Sequence, residues 1–205
     1  MAEHILDDVA ALERLYGEPA EVSVIKEIDH IHPDYRAFIE ASPFVVLATS
    51  GPGGLDASPR GDPAGFVAVE DEKTLIIPDR RGNKRIDSLR NLIADDRIGL
   101  LFLIPGVAET LRVNGRAAIS VDPALLARFS VDGKAPVSVL VVRVEAVYFQ
   151  CSRALVRSGL WNADKHIDRS ALPSVGKILA DLSQGRLGGA AYDRELPERV
   201  RTTLY

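Results

Sequence analysis

The chain has 205 residues, of which 46% are hydrophobic, and this is enough apolar material for one packed domain. Its formal net charge of −4 argues against general nucleic-acid binding, because that function requires a strongly basic face. The single cysteine, Cys151, excludes an internal disulfide and a cysteine-based zinc site.

The N-terminal sequence is acidic and lacks the basic segment and apolar stretch of a secretory signal. Nowhere does the chain reach the roughly 18 consecutive apolar residues that a membrane-spanning helix needs. We therefore expect a cytoplasmic protein with neither a membrane nor a nucleic acid as partner. The four histidines are scattered, and only His30 and His32 lie close together, so no metal site is expected.

The first half of the chain alternates helical and extended patterns. Apolar residues at helical spacing predict a helix over residues 6–16, and a second helix is predicted over 33–41 with Pro33 in its first turn. Short runs rich in β-branched residues, separated by glycine and proline turns, then predict strands. These strands cover residues 44–49, 57–61, 66–69 and 74–77.

The second half begins with a predicted helix over 83–94 and continues with long apolar strands over 98–104, 110–121 and 137–149. A short helix over 123–129 separates the last two strands, and Asn114-Gly115 is typical of a strand bulge. From residue 151 onward the pattern is helical, with the clearest apolar stripe on a helix over 174–183. Short turns and few helices favour a compact β-barrel over a βαβ sheet.

The loop before the helix at 83–94 carries a concentration of positive charge. Four cations fall within six residues (Arg80, Arg81, Lys84 and Arg85), and Asn83 is placed to cap the helix, whose inward face is predicted to be Ile86, Leu89 and Ile93. A helix N-terminus with adjacent cations suits a phosphate group. A solvated surface cluster remains the alternative interpretation of this loop.

Several segments, in this order, resemble the FMN-binding split β-barrel proteins related to pyridoxamine 5′-phosphate oxidase. The resemblance covers roughly residues 33–161, and its motifs lie at 49–51, 58–62, 80–85, 97–103, 109–116 and 151–161, with Ser88 and Asn91 on the intervening helix. It implies a mainly β, α+β domain: a six-stranded split β-barrel over 33–161 with flanking helices. Residues 1–32 would form an N-terminal helical extension, and residues 162–205 a C-terminal helical extension packed on the same domain.

The resemblance also implies a homodimer with FMN at the subunit interface. The phosphate would be held by the basic loop, with Ser58 or Arg60 reaching in from a neighbouring strand, and the segment from Glu109 to Arg112 would run past the ring or ribityl chain. Residues near 157–161 would come from the partner subunit. The expected cofactor-binding residues are Ser58, Arg60, Arg81, Asn83, Lys84, Arg85, Ser88, Thr110, Arg112, Arg157, Ser158 and Trp161.

Alternatives remain open at several of these positions. Arg60 could pair with Asp62, Arg112 could be an outward, solvated strand residue, and Trp161 could serve packing or the dimer interface. Arg157 could cap a helix C-terminus instead. Cys151 is expected to be a small buried residue rather than a reactive thiol.

True pyridoxamine phosphate oxidases carry a C-terminal tryptophan and an Arg-x-His segment that grips pyridoxal phosphate, whereas this chain has no histidine after His166. The expected function is therefore an FMN-dependent oxidoreductase acting on another small organic substrate, with no catalytic residue assigned. Two alternatives share the same barrel: a non-catalytic flavin carrier or redox sensor, and a protein that uses the deazaflavin F420. Haem is disfavoured because no histidine or cysteine is well placed as an axial ligand.

Overall fold

The computed structural model of the chain describes residues 4–205; the first three residues of the predicted N-terminal extension lie outside this range. The described part contains seven strands and eight α-helices, together with two short 3₁₀ helices at Ala163–Lys165 and Arg169–Ala171. In chain order the elements are α1 (Val9–Tyr16), α2 (Glu21–Val24), α3 (Pro33–Ala41), β1 (Phe44–Gly51), β2 (Gly54–Gly61), β3 (Ala68–Asp71), β4 (Thr74–Asp79), α4 (Asp87–Ala94), β5 (Arg97–Leu103), β6 (Thr110–Ser120), α5 (Pro123–Arg128), β7 (Ser138–Gln150), α6 (Arg153–Ser158), α7 (Val175–Leu182) and α8 (Gly189–Thr202).

All seven strands belong to one antiparallel sheet with the order β2-β1-β5-β6-β7-β4-β3. The predicted α+β class is confirmed. The seven strands correspond to the seven predicted strand segments, which is one more than the six-stranded barrel that the resemblance implies, and β2 and β3 lie at the two edges. No backbone pairing joins these edges within residues 4–205, so the sheet is split and does not form a closed barrel.

One continuous apolar core lies on the inner face of the curved sheet. The strands contribute alternating buried residues, and β5 in particular buries Ile98, Leu100 and Phe102. Helix α3 closes the core with the fully buried Ile39, and Pro33 occupies its first turn as predicted. The predicted hydrophobic periodicity therefore located the core strands correctly.

The β6–β7 ribbon contains a bulge at the predicted position. The pairing register shifts between Asn114 and Gly115. A Cβ atom added at Gly115 would lie 2.2 Å from the carbonyl oxygen of Arg143 on the neighbouring strand. Glycine is needed here because the two backbones approach too closely for any side chain.

Helix α4 differs from its prediction in where it begins. It starts at Asp87 rather than at residue 83, and the residue before it, Ile86, has a left-handed backbone and no capping side chain. Asn83 is therefore not the N-cap. Its Oδ1 atom instead accepts a hydrogen bond of 3.0 Å from the backbone N–H of Arg85, as in an Asx turn.

The buried face of α4 is also not the predicted one. Ile86 and Ile93 are 49% and 79% exposed, while Ser88, Asn91 and Leu92 are buried. The helix packs on β1 and β2 through polar groups, and the Asn91 amide donates to the Gly54 carbonyl oxygen at 3.1 Å. Leu92 joins the apolar core and Leu89 packs against it as predicted, but the buried Ser88 and Asn91 are held by hydrogen bonds that an apolar stripe could not reveal.

The C-terminal helices pack mainly on each other. Gly176 of α7 lies so close to α8 that an added Cβ atom would meet the Gly189 carbonyl oxygen at 2.3 Å. Asp193 of α8 accepts hydrogen bonds from the Ser174 hydroxyl and the Gly176 N–H, at 2.6 and 2.7 Å. The α7–α8 hairpin is therefore fixed by close backbone contact and a shared carboxylate.

The bulge generates a stability prediction. Replacing Gly115 by alanine forces the Arg143 backbone to move, and overpacking of this kind costs roughly 1–3 kcal/mol of unfolding free energy. The matched control is Gly53→Ala in the β1–β2 turn, where an added Cβ meets nothing within 4 Å. Urea denaturation of both variants measures the difference, and equal stabilities would show that the bulge tolerates a side chain.

Candidate functional site

Side-chain ion pairs join edge strand β2 to β4, the strand next to the opposite edge of the split sheet. Arg60 on β2 donates to Asp79 on β4 with 3.1 Å between Nε and Oδ1. Arg80, directly after β4, donates to Asp62, directly after β2, with 2.8 Å between Nε and Oδ2. We call these four residues the clamp. The open alternative of an Arg60–Asp62 pair is thus wrong, since each arginine pairs with the carboxylate of the opposite segment.

The clamp also binds two further parts of the chain. Arg80 Nη1 donates to the Phe129 carbonyl oxygen at 2.6 Å, and its guanidinium lies 5.3 Å from the centre of the Tyr205 ring. The Tyr205 hydroxyl donates to Asp62. This hydrogen bond to a carboxylate raises the pKa of Tyr205 above its ordinary value, so the phenol remains protonated.

A groove of about 1970 Å³ runs along the split beside the clamp. Its walls are the C-terminal half of β2, the loop that follows β4 (residues 80–86, here called the basic loop), the first turn of α4 and residues 202–205. Seven of the predicted site residues line this one groove: Ser58, Arg60, Arg81, Asn83, Lys84, Arg85 and Ser88.

The basic loop has an unusual backbone. Lys84 and Ile86 have φ angles of 63° and 53°, in the left-handed region, whereas Arg85 between them does not. This conformation is costly for a β-branched isoleucine, by about 1–2 kcal/mol. Left-handed residues within a tight turn are a feature of the backbone arrangements that bind anions through N–H groups. Strain of this kind is typical of ligand-binding loops.

The cations of the basic loop are not all neutralised within the chain. Arg85 pairs with Asp87 at 2.7 Å on the exposed surface. Arg81 and Lys84, by contrast, form no ion pair and no side-chain hydrogen bond with any residue from 4 to 205. The groove therefore presents two uncommitted cations beside the left-handed backbone.

The two serines of the groove donate to a carboxylate that the sequence did not identify as part of the site. Ser58 and Ser88 hydroxyls lie 2.8 and 2.5 Å from the same oxygen, Oδ2 of Asp56. Hydrogen bonds from Ser88 first, and then from Ser58, lower the pKa of Asp56. Asp56 and Ser58 share a face of β2 at i and i+2, and this spacing was the available signal.

The five remaining predicted site residues lie outside the groove. Arg112 of β6 is half-buried, and its Nη1 donates to the Tyr148 hydroxyl at 2.8 Å, so it is not a free solvated residue. The Trp161 indole N–H donates to the Val107 carbonyl oxygen at 2.8 Å. Thr110 is buried at the start of β6, and Arg157 and Ser158 are exposed on α6.

Three further observations concern the rest of the surface. Cys151 is exposed, so its predicted burial is wrong; it falls after the last residue of β7, where the sheet has ended. In the described part of the chain, no helix is both long and apolar enough to cross a bilayer. Across residues 4–205, no three His, Cys, Asp or Glu side chains are grouped so as to hold a metal ion.

A family model described as "Pyridoxamine 5'-phosphate oxidase" matches residues 31–151, which is more than half of the chain. A search among curated proteins gave no match. Solved structures similar to this chain include HupZ of Group A Streptococcus, with 20% identity over 58% of this chain and 93% of that one, at a TM-score of 0.47.

Two further similar structures come from other bacteria. A putative pyridoxamine 5′-phosphate oxidase of Lactobacillus delbrueckii has 17% identity over 59% of this chain and 95% of that one, at a TM-score of 0.46. An FMN-binding protein of Syntrophomonas wolfei has 11% identity over 70% of this chain and 97% of that one, at a TM-score of 0.43.

The Asp56 cluster predicts a pH-dependent effect of Ser88→Ala. The folded-state pKa of Asp56 is depressed, so its stabilising contribution is present above its ordinary pKa of 3.8 and is lost as the pH falls through the folded value. Removing the Ser88 hydroxyl raises that pKa. The variant should be less stable than the wild type at about pH 7, and the difference should shrink at about pH 3.

Urea denaturation at the two pH values measures this difference. Ser50→Ala is the control, because Ser50 is exposed on β1 and its hydroxyl has no hydrogen-bond partner in the described chain. A stability loss for Ser88→Ala that is the same at both pH values would contradict a role for Asp56 ionisation.

Proposed function

The chain belongs to the pyridoxamine 5′-phosphate oxidase family, and we propose that it binds FMN in the groove and uses it for redox chemistry on a small organic substrate. The observation that carries this proposal is the left-handed basic loop with two uncommitted cations. Backbone strain that the surrounding structure imposes is typical of loops that bind ligands.

The donor set of the loop fits the phosphate end of FMN. A phosphate monoester carries nearly two negative charges near neutral pH and offers only acceptor oxygens. Arg81, Lys84 and Arg85 supply charge-assisted N–H donors, and the loop backbone supplies further N–H groups. Asn83 would hold the loop in shape through its hydrogen bond to the Arg85 N–H.

The remaining groove residues have distinct proposed roles. The hydroxyls of Ser58 and Ser88 would contact the phosphate by rotating away from Asp56, which leaves that carboxylate as the group opposing anion binding. Arg60 would hold the edge of the groove in place through its ion pair with Asp79. The part of its guanidinium group that does not contact Asp79 would contact the ligand. FMN itself supplies the electron transfer, and the protein binds and orients it and excludes water.

We further propose that FMN lies between two copies of the chain. Arg157, Ser158 and Trp161 would then reach the cofactor from the partner copy, and the segment containing Thr110 and Arg112 would run past its ring or ribityl chain. None of these five residues lines the groove of its own chain. The surface around Trp161 supports an interface: Val156 and Leu160 of the same region are 64% and 46% exposed. Apolar side chains grouped in this way are typical of surfaces that a partner covers.

A double variant tests the phosphate site. Arg81→Ala with Lys84→Ala removes the two uncommitted cations, and each charge-assisted hydrogen bond contributes about 1.5–3 kcal/mol, so FMN affinity should fall at least about a hundredfold. Riboflavin, which lacks the phosphate, should bind the variant and the wild type equally. Titration of flavin fluorescence measures both ligands.

Arg14→Ala is the control variant, because Arg14 is an exposed cation on α1 and does not line the groove. Equal losses for FMN and riboflavin would contradict a phosphate contact by the loop.

Native mass spectrometry of the purified protein separately distinguishes FMN from F420, because the two cofactors differ in mass. Anaerobic reduction with NADH or NADPH separates an enzyme from a flavin carrier, which should show no turnover.

A mixed dimer tests the shared site. One chain carries Arg81→Ala with Lys84→Ala in its groove, and the other carries Arg157→Ala with Ser158→Ala on α6. If α6 serves the partner's groove, both defects fall in one site and the second site stays intact. Each mixed dimer should then bind one FMN with wild-type affinity.

The two homodimers of these variants are the controls, and neither should bind FMN with wild-type affinity. Tandem affinity tags isolate the mixed species, and flavin absorbance reports the cofactor per chain. If the mixed dimer retains no wild-type site, the α6 residues act on the groove of their own chain. If the α6-variant homodimer binds FMN with wild-type affinity, they act on no groove. Either result shows that the shared site is wrong.

A further inference from the structure

Residues 202–205, which we call the terminal segment, line the groove together with the basic loop. Tyr205 fastens this segment, since its hydroxyl donates to Asp62 and its ring faces Arg80. Asp62 lies 143 residues earlier in the sequence, and its side chain is only 3% exposed. The contact therefore connects Tyr205 to the most buried carboxylate of the clamp.

The rest of the segment is only lightly held. Helix α8 has no buried residue, Leu204 is 60% exposed, and the Thr203 N–H and hydroxyl both donate back to the Arg199 carbonyl oxygen. The contacts of the segment with the clamp thus reduce to the hydrogen bond and the ring contact of Tyr205. Elements held by few contacts open at low free energy, unlike paired strands.

We propose that the terminal segment is a gate on the groove and that Tyr205 is its latch. The proposal deepens the proposed function, since it concerns entry and exit of the flavin at the same site. Asp62 and Arg80 pair with each other independently of Tyr205. Release of the tyrosine therefore leaves no unpaired buried charge, and the clamp can stay closed while the gate opens.

A gate slows both entry and exit of a ligand, and this distinguishes it from a wall of the binding site. Loss of a wall contact weakens affinity through faster release alone. Loss of a latch raises the association and the dissociation rates together, so that the dissociation constant changes much less than either rate. The rates, rather than the affinity, therefore report on the role of Tyr205.

Stopped-flow fluorescence with FMN measures both rates for the wild type, Tyr205→Phe and Tyr205→Ala. Tyr205→Phe keeps the ring over Arg80 and loses the hydrogen bond to a charged group, so both rates should rise about tenfold. Tyr205→Ala loses both contacts and should exceed that increase. Tyr192→Ala is the matched control, because its ring also faces an arginine, Arg199 at 4.3 Å, and does not line the groove.

Rates unchanged in both Tyr205 variants would overturn the gate, and so would a slower association, which would show that Tyr205 only maintains the fold. A wild-type protein that binds no FMN refutes the proposed function instead. In that case hydrogen–deuterium exchange tests the gate without a ligand. Amides of the basic loop should exchange faster in Tyr205→Ala than in Tyr192→Ala, and equal exchange overturns the proposal.

Discussion

The crossed ion pairs Arg60–Asp79 and Arg80–Asp62 link edge strand β2 to β4 across the split of a sheet that no backbone hydrogen bonds close within residues 4–205. Both pairs are largely shielded from solvent. Removal of one partner of such a pair typically costs about 3–5 kcal/mol of unfolding free energy, because the other charge is left buried and unpaired. A closed barrel would have no groove, and an unjoined sheet would have no fixed one. The clamp therefore sets the position of the groove. The basic loop begins at Arg80, which is itself a clamp residue.

The position of the loop explains why its strain persists. Arg80 fixes the start of the loop to Asp62, and α4 fixes its end, because buried Ser88 and Asn91 hold that helix on β1 and β2. Between these two anchors the chain must turn within a few residues, and it does so through left-handed Lys84 and Ile86. A strained backbone survives only where its surroundings impose it. The same anchors that impose the strain also aim the loop cations into the groove.

The strands of this fold were predictable from sequence because their apolar residues alternate or run continuously, as in β5 and β7. The basic loop was predictable from its charge, and the bulge from Asn114-Gly115. The start and the buried face of α4 were not, since Ser88 and Asn91 are buried through hydrogen bonds that carry no periodic signal. The contact of Tyr205 with Asp62 could not be predicted for another reason, because a contact between residues 143 positions apart leaves no local sequence pattern.

The charge balance of the groove bears on the substrate. Lys134, in the segment before β7, also lines the groove, which therefore has six cations. Arg60, Arg80 and Arg85 pair with carboxylates, which leaves Arg81, Lys84 and Lys134 without an ion pair within residues 4–205. A flavin phosphate near neutral pH takes up nearly two of these three charges. The carboxylate of Asp56, which also lines the groove, offsets the third cation, so no positive charge remains in the groove for a second phosphate ester. Arg60 and Arg80 close the split through their ion pairs and are therefore not available as a pair to a second phosphate group.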